Sequence, residues 1–97
     1  MAETRVVNMR HEHYDEYIGR GSLWGNRYSH IRSSFKGVIY VATRREAIER
    51  YREDLINDPE RMRLIPTLKG LRLGCYCKPL DCHGDVLVEL AEYYTPY

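Results

Sequence analysis

The order of β-type and helical segments in the second half of the chain constrains the fold more than any other feature. The apolar run VIYVA, residues 38–42, is short enough for a buried strand. Two helical segments follow it, and a second β-type run, LRLGCYC, spans residues 71–77. Strands that are joined through helices form a parallel, right-handed βαβ unit. The sequence therefore predicts that 38–42 and 71–77 lie in one parallel sheet.

Helix-start signals mark both helices between these strands. Thr43 and Glu46 have the spacing of a capping box, in which side chains satisfy the first free N–H groups of a helix. Apolar residues then recur at helical spacing, which predicts a helix over residues 44–56. Asp58 followed by Pro59 is a typical N-cap and first helical residue, so we expect a second helix to begin there.

Two further segments complete the predicted fold. RVVNM, residues 5–9, has the β-branched composition of a short strand, and the last helix begins at about residue 81. If residues 5–9 join the sheet in parallel, the chain forms a small α/β fold. That fold has a mainly parallel sheet of three or more strands, a βαβ crossover and helices packed on the sheet. Its 97 residues correspond to a single domain over 1–97.

The segment between the first two predicted strands, residues 10–37, is rich in glycine and has no clear period. A loop of that length in a small domain is usually functional or contains short elements. Glycine lets the backbone approach a ligand closely, and arginine offers two parallel donors to a phosphate or carboxylate. Trp24 either stacks on a base or fills the core. Arg20 either binds a ligand or forms a salt bridge. The candidate ligand-binding residues of this segment are Asp15, Gly19, Arg20, Trp24, Gly25 and Asn26.

All three cysteines lie within eight positions, and a histidine follows the last of them. An odd number of cysteines argues against a simple disulfide framework, and cytosolic thiols stay mostly reduced. In one interpretation, the cysteines are small buried hydrophobic residues. In a second interpretation, the segment holds a zinc ion, although the C-x-C-x4-C-H spacing differs from that of common zinc fingers. The four candidate zinc ligands are Cys75, Cys77, Cys82 and His83.

A third interpretation makes the cysteine segment a catalytic or anion-binding edge. With a helix starting near residue 81, Cys82 and His83 occupy its first turn, where free N–H groups and the helix dipole acidify a thiol. Cys82 is then the reactive thiolate and His83 a proton carrier or ligand. Asp85 would orient an imidazole or a ligand hydroxyl.

The ends of the predicted strands bring these two segments together. Small α/β sheets bind ligands beyond the carboxyl ends of their strands. The predicted strands end at Asn8–Arg10, at Thr43 and at Cys77. We therefore expect the glycine-rich loop and the cysteine segment to meet at one edge, with Asn8, Arg10 and Arg20 in a shared polar pocket.

Composition limits the partners of the protein. A net charge of +1 excludes a polycation, so a nucleic-acid contact would need a local basic patch. No apolar run approaches the ~20 residues of a membrane helix, and the first residues lack the apolar stretch of a signal peptide. These features predict a cytoplasmic protein with no membrane contact, either a monomer or a homodimer. Its nine tyrosines, including Tyr93, Tyr94 and Tyr97, would suit contact with a host protein or a second copy.

Several segments resemble, in the same order, a known family over nearly the whole chain. They are VVNMR, YDEYIGRG followed by WGN, TRREAIERYREDL and LGCYCKPLDCHGDVLVELA. The chain is similar in these segments to a small domain of unknown function, DUF4326, of bacteria and their phages. The most specific block is C-x-C-x-P-x-x-C-H-G-D. Arg27 departs from the proline that the family usually carries after Gly-Asn.

The resemblance implies a phage or mobile-element context and a shared polar site. The site would comprise the cysteine block together with Asn8, Asp15, Gly19, Arg20, Gly25 and Asn26. The family's description names no activity, so none is implied.

Our leading hypothesis is a pocket that binds a nucleotide or a nucleic-acid phosphate. Arg20 and Arg10 would contact the anion, and Cys82 and His83 would supply polar or nucleophilic chemistry. One alternative is an interaction module with a structural zinc ion. Another is a phage protein that binds a host protein without any small ligand.

Overall fold

The computed structural model describes residues 3–31 and 36–93. None of the helices in these residues is long and apolar enough to cross a membrane. The three helices and the parallel strands form an α/β fold. The elements, in chain order, are β1 (Arg5–Asn8), β2 (Glu16–Tyr17), β3 (Tyr28–Ser29), β4 (Ile39–Tyr40), α1 (Arg44–Ile56), α2 (Pro59–Leu64), a 3-10 turn (Ile65–Leu68), β5 (Arg72–Cys75) and α3 (Gly84–Tyr93).

The central strand of the main sheet is β5, which pairs in parallel with β1 on one edge and with β2 on the other. Asn8 of β1 lies opposite Cys75 of β5, and Tyr17 of β2 lies opposite Gly74. Three strand ends therefore meet at the carboxyl edge of this sheet. The pairing confirms the predicted fold class and the parallel alignment of the first strand with the cysteine strand.

The strand predicted at residues 38–42 does not join this sheet. Only Ile39–Tyr40 forms a strand, and it pairs in parallel with β3 in a separate two-stranded sheet. Ile39 and Tyr40 are 44% and 56% exposed, so the run is not a buried strand. The second edge of β5 is instead occupied by β2, a two-residue strand within the glycine-rich segment. The βαβ crossover thus runs from β2 through α1 and α2 to β5.

Hydrogen bonds confirm the predicted starts of α1 and α2 and correct that of α3. The Thr43 side chain accepts from the backbone N–H of Glu46 at 3.0 Å, directly before α1. Asp58 accepts from the backbone N–H of Arg61 at 3.3 Å at the start of α2. The last helix, however, begins at Gly84 rather than at about residue 81. The third cysteine and the histidine therefore lie in the turn that precedes the helix.

The hydrophobic core lies between the main sheet and the helices. Trp24 is 3% exposed and belongs to this core, and the Tyr51 hydroxyl donates to the Trp24 backbone oxygen at 2.7 Å. Trp24 therefore fills the core, and its predicted role as a ligand-binding residue is wrong because the ring is covered by protein. The other large core side chains come from the turn after β2, from α1, from the 3-10 turn, from β5 and from α3: Ile18, Tyr51, Leu55, Ile65, Leu68, Leu73, Val86 and Leu87.

We expect Leu55→Ala to lower the free energy of unfolding by about 2–5 kcal/mol, because it removes a fully buried side chain and leaves a cavity. Ile56→Ala is the matched control, since the adjacent side chain is 49% exposed and its loss should change stability by no more than about 0.5 kcal/mol. Urea unfolding followed by circular dichroism measures both variants. Equal losses would contradict the burial of this face of α1.

Candidate functional site

A cavity of about 480 Å³ opens at the carboxyl edge of the main sheet. Residues that follow β2 and β5, residues around β3, the start of α1 and the turn before α3 form its walls. The structure thus brings the glycine-rich loop and the cysteine segment to one cavity, while their role in binding stays a prediction. Seven of the predicted site residues line it: Gly19, Arg20, Asn26, Cys75, Cys77, Cys82 and His83.

The three cysteine sulfurs form a cluster at this cavity. Their Sγ atoms all lie within 4.8 Å of one another, and those of Cys75 and Cys82 are 3.1 Å apart. Cys75 ends β5, and a hydrogen bond of 2.8 Å from the Leu80 N–H to the Cys77 carbonyl closes the turn that returns the chain to Cys82. Cys75 and Cys82 are buried, whereas Cys77 is half-buried. Three sulfur donors at these distances could hold a metal ion.

The three thiols do not ionise alike. Hydrogen bonds from the side chains of Cys75 and Cys82 lower the pKa of Cys77 far below that of an ordinary thiol. The pKa of Cys75 is raised, first of all by its hydrogen bond to Cys77. The pKa of Cys82 is raised by its hydrogen bonds to Cys75 and Cys77 and by burial. Three sulfurs this close cannot all carry a charge, so the half-buried one ionises while its neighbours donate to it.

The lowered pKa thus belongs to Cys77, whereas the sequence analysis had placed the reactive thiolate at Cys82. Cys82 is only 1% exposed. It also lies before α3 rather than in its first turn, and its Sγ accepts from the backbone N–H of Gly84 at 3.4 Å. The sulfur of Cys82 thus takes the place of a capping oxygen at the helix start, which is a structural role.

Asp85 fastens the same turn from the helix side. One carboxylate oxygen accepts from the backbone N–H of Cys82 at 3.0 Å, and the other accepts from Lys78 Nζ at 2.6 Å. Asp85 is not among the residues that line the cavity. The structure thus shows its carboxylate holding the cysteine segment against α3, and its catalytic role stays a prediction.

His83 lines the cavity as a buried, oriented and neutral imidazole. Its Nε2 lies 2.7 Å from the backbone oxygen of Ile18, and since a carbonyl only accepts, Nε2 carries the proton. Its Nδ1 therefore carries a lone pair that can accept a hydrogen bond, and this atom lies 3.5 Å from Cys82 Sγ. The Tyr51 ring packs against the imidazole edge with centroids 4.9 Å apart. Burial lowers the pKa of His83, which keeps the ring uncharged at neutral pH.

Arg20 brings a positive charge to the cavity without a carboxylate beside it. Its Nη2 donates to the Tyr28 backbone oxygen at 3.2 Å, while its Nε is buried and has no hydrogen-bond partner among residues 3–31 and 36–93. No carboxylate within residues 3–31 and 36–93 forms an ion pair with it, so the salt-bridge alternative fails for that part of the chain. A buried donor without a partner costs about 1–3 kcal/mol.

Gly25 and Asn26 shape the loop that carries this arginine. A Cβ at Gly25 would lie 2.9 Å from the backbone oxygen of Gly19, so only glycine allows the backbone at residue 25 to approach the backbone at residue 19 this closely. The Asn26 amide donates to the Ala47 backbone oxygen at 3.1 Å and accepts from the Tyr28 N–H at 2.9 Å. Asn26 therefore ties the loop to α1, and backbone groups already occupy both ends of its amide.

Asn8 and Arg10 lie outside the lining of the cavity. The Asn8 side chain donates to the Lys78 backbone oxygen at 2.8 Å and accepts from the Arg10 N–H at 2.9 Å. The Arg10 guanidinium lies 5.0 Å from the centre of the Tyr76 ring, and Tyr76 borders the cavity. Neither residue makes the predicted contribution to the pocket wall. Asn8 instead ties the end of β1 to the cysteine segment.

Asp15 also has a structural role. Its carboxylate accepts from the Arg72 backbone N–H at 2.9 Å and pairs with the Arg72 guanidinium at 3.3 Å. These hydrogen bonds lower the pKa of Asp15. Among the tyrosines predicted to contact a partner, Tyr93 is 82% exposed, and Tyr94 and Tyr97 lie outside the described residues.

Sequence analysis missed Arg44, which lines the cavity from the first turn of α1. Its Nη1 donates to the Asp81 backbone oxygen at 3.0 Å, and its guanidinium contributes to the lowered pKa of Cys77. The signal was present, because Arg44 follows the Thr43 cap directly. Two further lining residues that were not selected, Ser29 and Asp81, are polar, and the rest are aromatic or apolar: Tyr17, Tyr28, His30, Ile31, Ala47, Ile48, Tyr76 and Leu80.

Comparisons with known proteins agree with the resemblance seen in the sequence. A family model described as "Domain of unknown function (DUF4326)" matches residues 3–93. A similar protein is the "Uncharacterized 12.4 kDa protein in nrdA-td intergenic region" of Enterobacteria phage T4, which is 36% identical over 93 residues. The alignment covers 91% of this chain and 77% of the phage protein. No solved structure matches the chain significantly.

In reduced, chelator-treated protein, we expect iodoacetamide to alkylate Cys77 before Cys75 or Cys82, because its thiolate is both ionised and the most accessible. Since its pKa is lowered, the reaction should persist as the pH falls below about 8.5, where an ordinary thiol is increasingly protonated. Peptide mass spectrometry across a pH series identifies the modified site. Cys77→Ser should lose the rapid reaction, and rapid labelling of Cys82 instead would contradict the assignment.

Proposed function

The chain belongs to the DUF4326 family of domains of unknown function, and we propose that it binds a small phosphate-bearing ligand, most simply a nucleotide, in the cavity lined by Arg20 and the cysteine segment. The observation that carries the proposal is the Arg20 guanidinium. It lies at a cavity of about 480 Å³, has a buried Nε without a partner and has no ion-pairing carboxylate in the described residues. Cavities of roughly 300–1,000 Å³ are the usual size for small-molecule sites.

The position of Arg20 supports recognition of an anion. Its Nη2 is held by a backbone oxygen and its backbone oxygen is held by the Tyr17 hydroxyl at 3.0 Å, so the side chain is oriented before a ligand arrives. Arginine binds phosphate through parallel charge-assisted hydrogen bonds. Arg44 adds a second guanidinium to the same cavity.

The cavity also offers surfaces for a base. Tyr17, Tyr28 and Tyr76 line it, and the Tyr76 ring is 53% exposed. Aromatic rings stack on nucleobases with little dependence on sequence, and such a stack contributes about 1–3 kcal/mol per base. Arg10 lies over Tyr76 and fixes the ring from the solvent side. A single nucleotide, with its phosphate at Arg20 and its base at these tyrosines, accounts for both features.

A nucleic-acid strand is the less supported form of the same chemistry. The net charge of the chain is +1, and most of its arginines in the described residues pair with carboxylates on the surface. Binding along a backbone requires several unpaired cations in a row. The cavity of about 480 Å³, with an Arg20 that forms no ion pair in the described residues, favours a mononucleotide.

We expect a nucleotide from a panel of mono-, di- and triphosphates to bind the wild type in isothermal titration calorimetry, and Arg20→Ala to weaken that binding about 10- to 100-fold. Loss of charge-assisted hydrogen bonds of about 1.5–3 kcal/mol predicts this range. Arg45→Ala is the matched control, because it removes the same charge from an exposed position paired only with Glu49.

Three further measurements complete this test. Titrations of the corresponding nucleoside and of inorganic phosphate measure how much each half of the nucleotide contributes to the binding free energy. Titration of a short single-stranded oligonucleotide tests the nucleic-acid alternative. Arg20→Lys keeps the charge but loses the paired donors, so it should bind between the wild type and Arg20→Ala. The proposal fails if no nucleotide binds, or if Arg20→Ala and Arg45→Ala bind equally while both melt as folded proteins.

A further inference from the structure

We propose that Cys75, Cys77 and Cys82 hold one zinc ion through three thiolates, with the fourth coordination position open to the cavity. The inference goes beyond nucleotide binding and stands without it. Zinc prefers sulfur and nitrogen donors in a tetrahedral arrangement, and sites that keep one position open are those that act on ligands. The proposal therefore assigns the cysteine segment a ligand-facing metal centre rather than a closed structural one.

The spacing of the three sulfurs fits this ion. Zinc–sulfur bonds of about 2.3 Å in a tetrahedron place two sulfurs about 3.8 Å apart. The Cys75 and Cys82 sulfurs are 3.1 Å apart, and all three sulfurs lie within 4.8 Å of one another, so the required separation falls inside the observed range.

Two elements of the fold hold the sulfurs in place. Cys75 is the last residue of β5, and Cys82 lies in the turn that Asp85 fastens to α3. Backbone N–H groups already point at two of the sulfurs, from Cys77 to Cys75 Sγ at 3.5 Å and from Gly84 to Cys82 Sγ at 3.4 Å. Such outer hydrogen bonds orient metal ligands and tune the metal.

The local charge also suits three thiolates. One zinc ion and three thiolates carry a net charge of −1, which costs free energy in a partly buried site unless cations lie nearby. Arg20 and Arg44 line the same cavity, and Arg44 interacts with Cys77. Neutral cysteines that only fill the core would not require these two positive charges nearby.

His83 is the alternative candidate for the fourth zinc ligand. Its geometry instead favours a residue that packs beside the site without binding the ion. Its Nδ1 lies 3.5 Å from Cys82 Sγ, but the set of donor atoms that lie mutually within 4.8 Å contains the three cysteines alone. The ring is held by Ile18 at Nε2 and by the edge contact with Tyr51. With the imidazole fixed there, the open position faces the cavity that Arg20 also lines.

The first experiment measures metal binding to the purified full chain. After removal of metal by a chelator under reducing conditions, we expect one Zn²⁺ or one Co²⁺ per chain to rebind, and Co²⁺ to give the intense sulfur-to-cobalt absorption of a three-thiolate site. Cys77→Ser removes the half-buried ligand with the least disturbance of the core, and should weaken Zn²⁺ binding more than 100-fold, since even outer-sphere partners contribute about 10–100-fold. Tyr76→Ala is the matched control in the same segment and should keep the ion.

The second experiment tests the open position with inorganic phosphate and azide as probes. Their addition should shift the ligand-field absorption of the Co²⁺ protein, because an exchangeable fourth ligand is replaced, and His83→Gln should retain the sulfur-to-cobalt band. The proposal is overturned if no such band forms, if thiol titration finds Cys75 and Cys82 joined as a disulfide in the purified protein, or if both anions leave the spectrum unchanged. Since no nucleotide is present, failure of nucleotide binding would leave these results unaffected.

Discussion

The parallel pairing of β5 with a strand on each edge is the constraint on which the site depends. The backbone ladder continues past the flanking strands, with the Met9 N–H donating to Cys75 and the Ile18 N–H donating to Gly74, both at 3.0 Å. Because all three strands run in one direction, the turns that follow them leave the sheet at the same edge. An antiparallel β2 would carry Arg20 to the opposite end of the sheet and separate it from the cysteines.

The features that the sequence analysis predicted correctly are those with local causes. The N-caps at Thr43 and Asp58 act within three residues of themselves, so their spacing alone places the starts of α1 and α2. The β-branched composition of residues 5–9 indicated a strand, although its parallel pairing was only assumed and the βαβ rule was applied to 38–42, which lies outside the main sheet. The pairing of β2, rather than of residues 38–42, with β5 could not be predicted in this way. A two-residue strand is too short to show a hydrophobic period, and an apolar run does not show whether a sheet edge is free to pair with it.

The sequence analysis predicted the thiolate at Cys82, whereas the lowered pKa belongs to Cys77, and this difference has another cause. From spacing, Cys82 belonged to the first turn of a helix, and the helix dipole would have acidified it. In the folded chain, the dominant effect on each thiol comes from the two neighbouring sulfurs, which lie at the end of β5, two residues beyond it and in the turn before α3. Ionisation within such a cluster depends on distances of a few ångströms between residues seven positions apart. Only the tertiary structure supplies those distances.

The cysteine segment obtains its shape from elements that are distant in the sequence. Asn8 holds the Lys78 backbone, Ile18 orients His83, and Arg44 binds the Asp81 backbone oxygen. A common zinc finger is a short chain whose fold is formed by its own metal, so its ligand spacing is fixed by the local loop. Here hydrogen bonds from β1, from the turn after β2 and from α1 also hold the segment that carries the sulfurs. That difference explains why the C-x-C-x4-C-H spacing matches no common finger and why the cluster can border an open cavity.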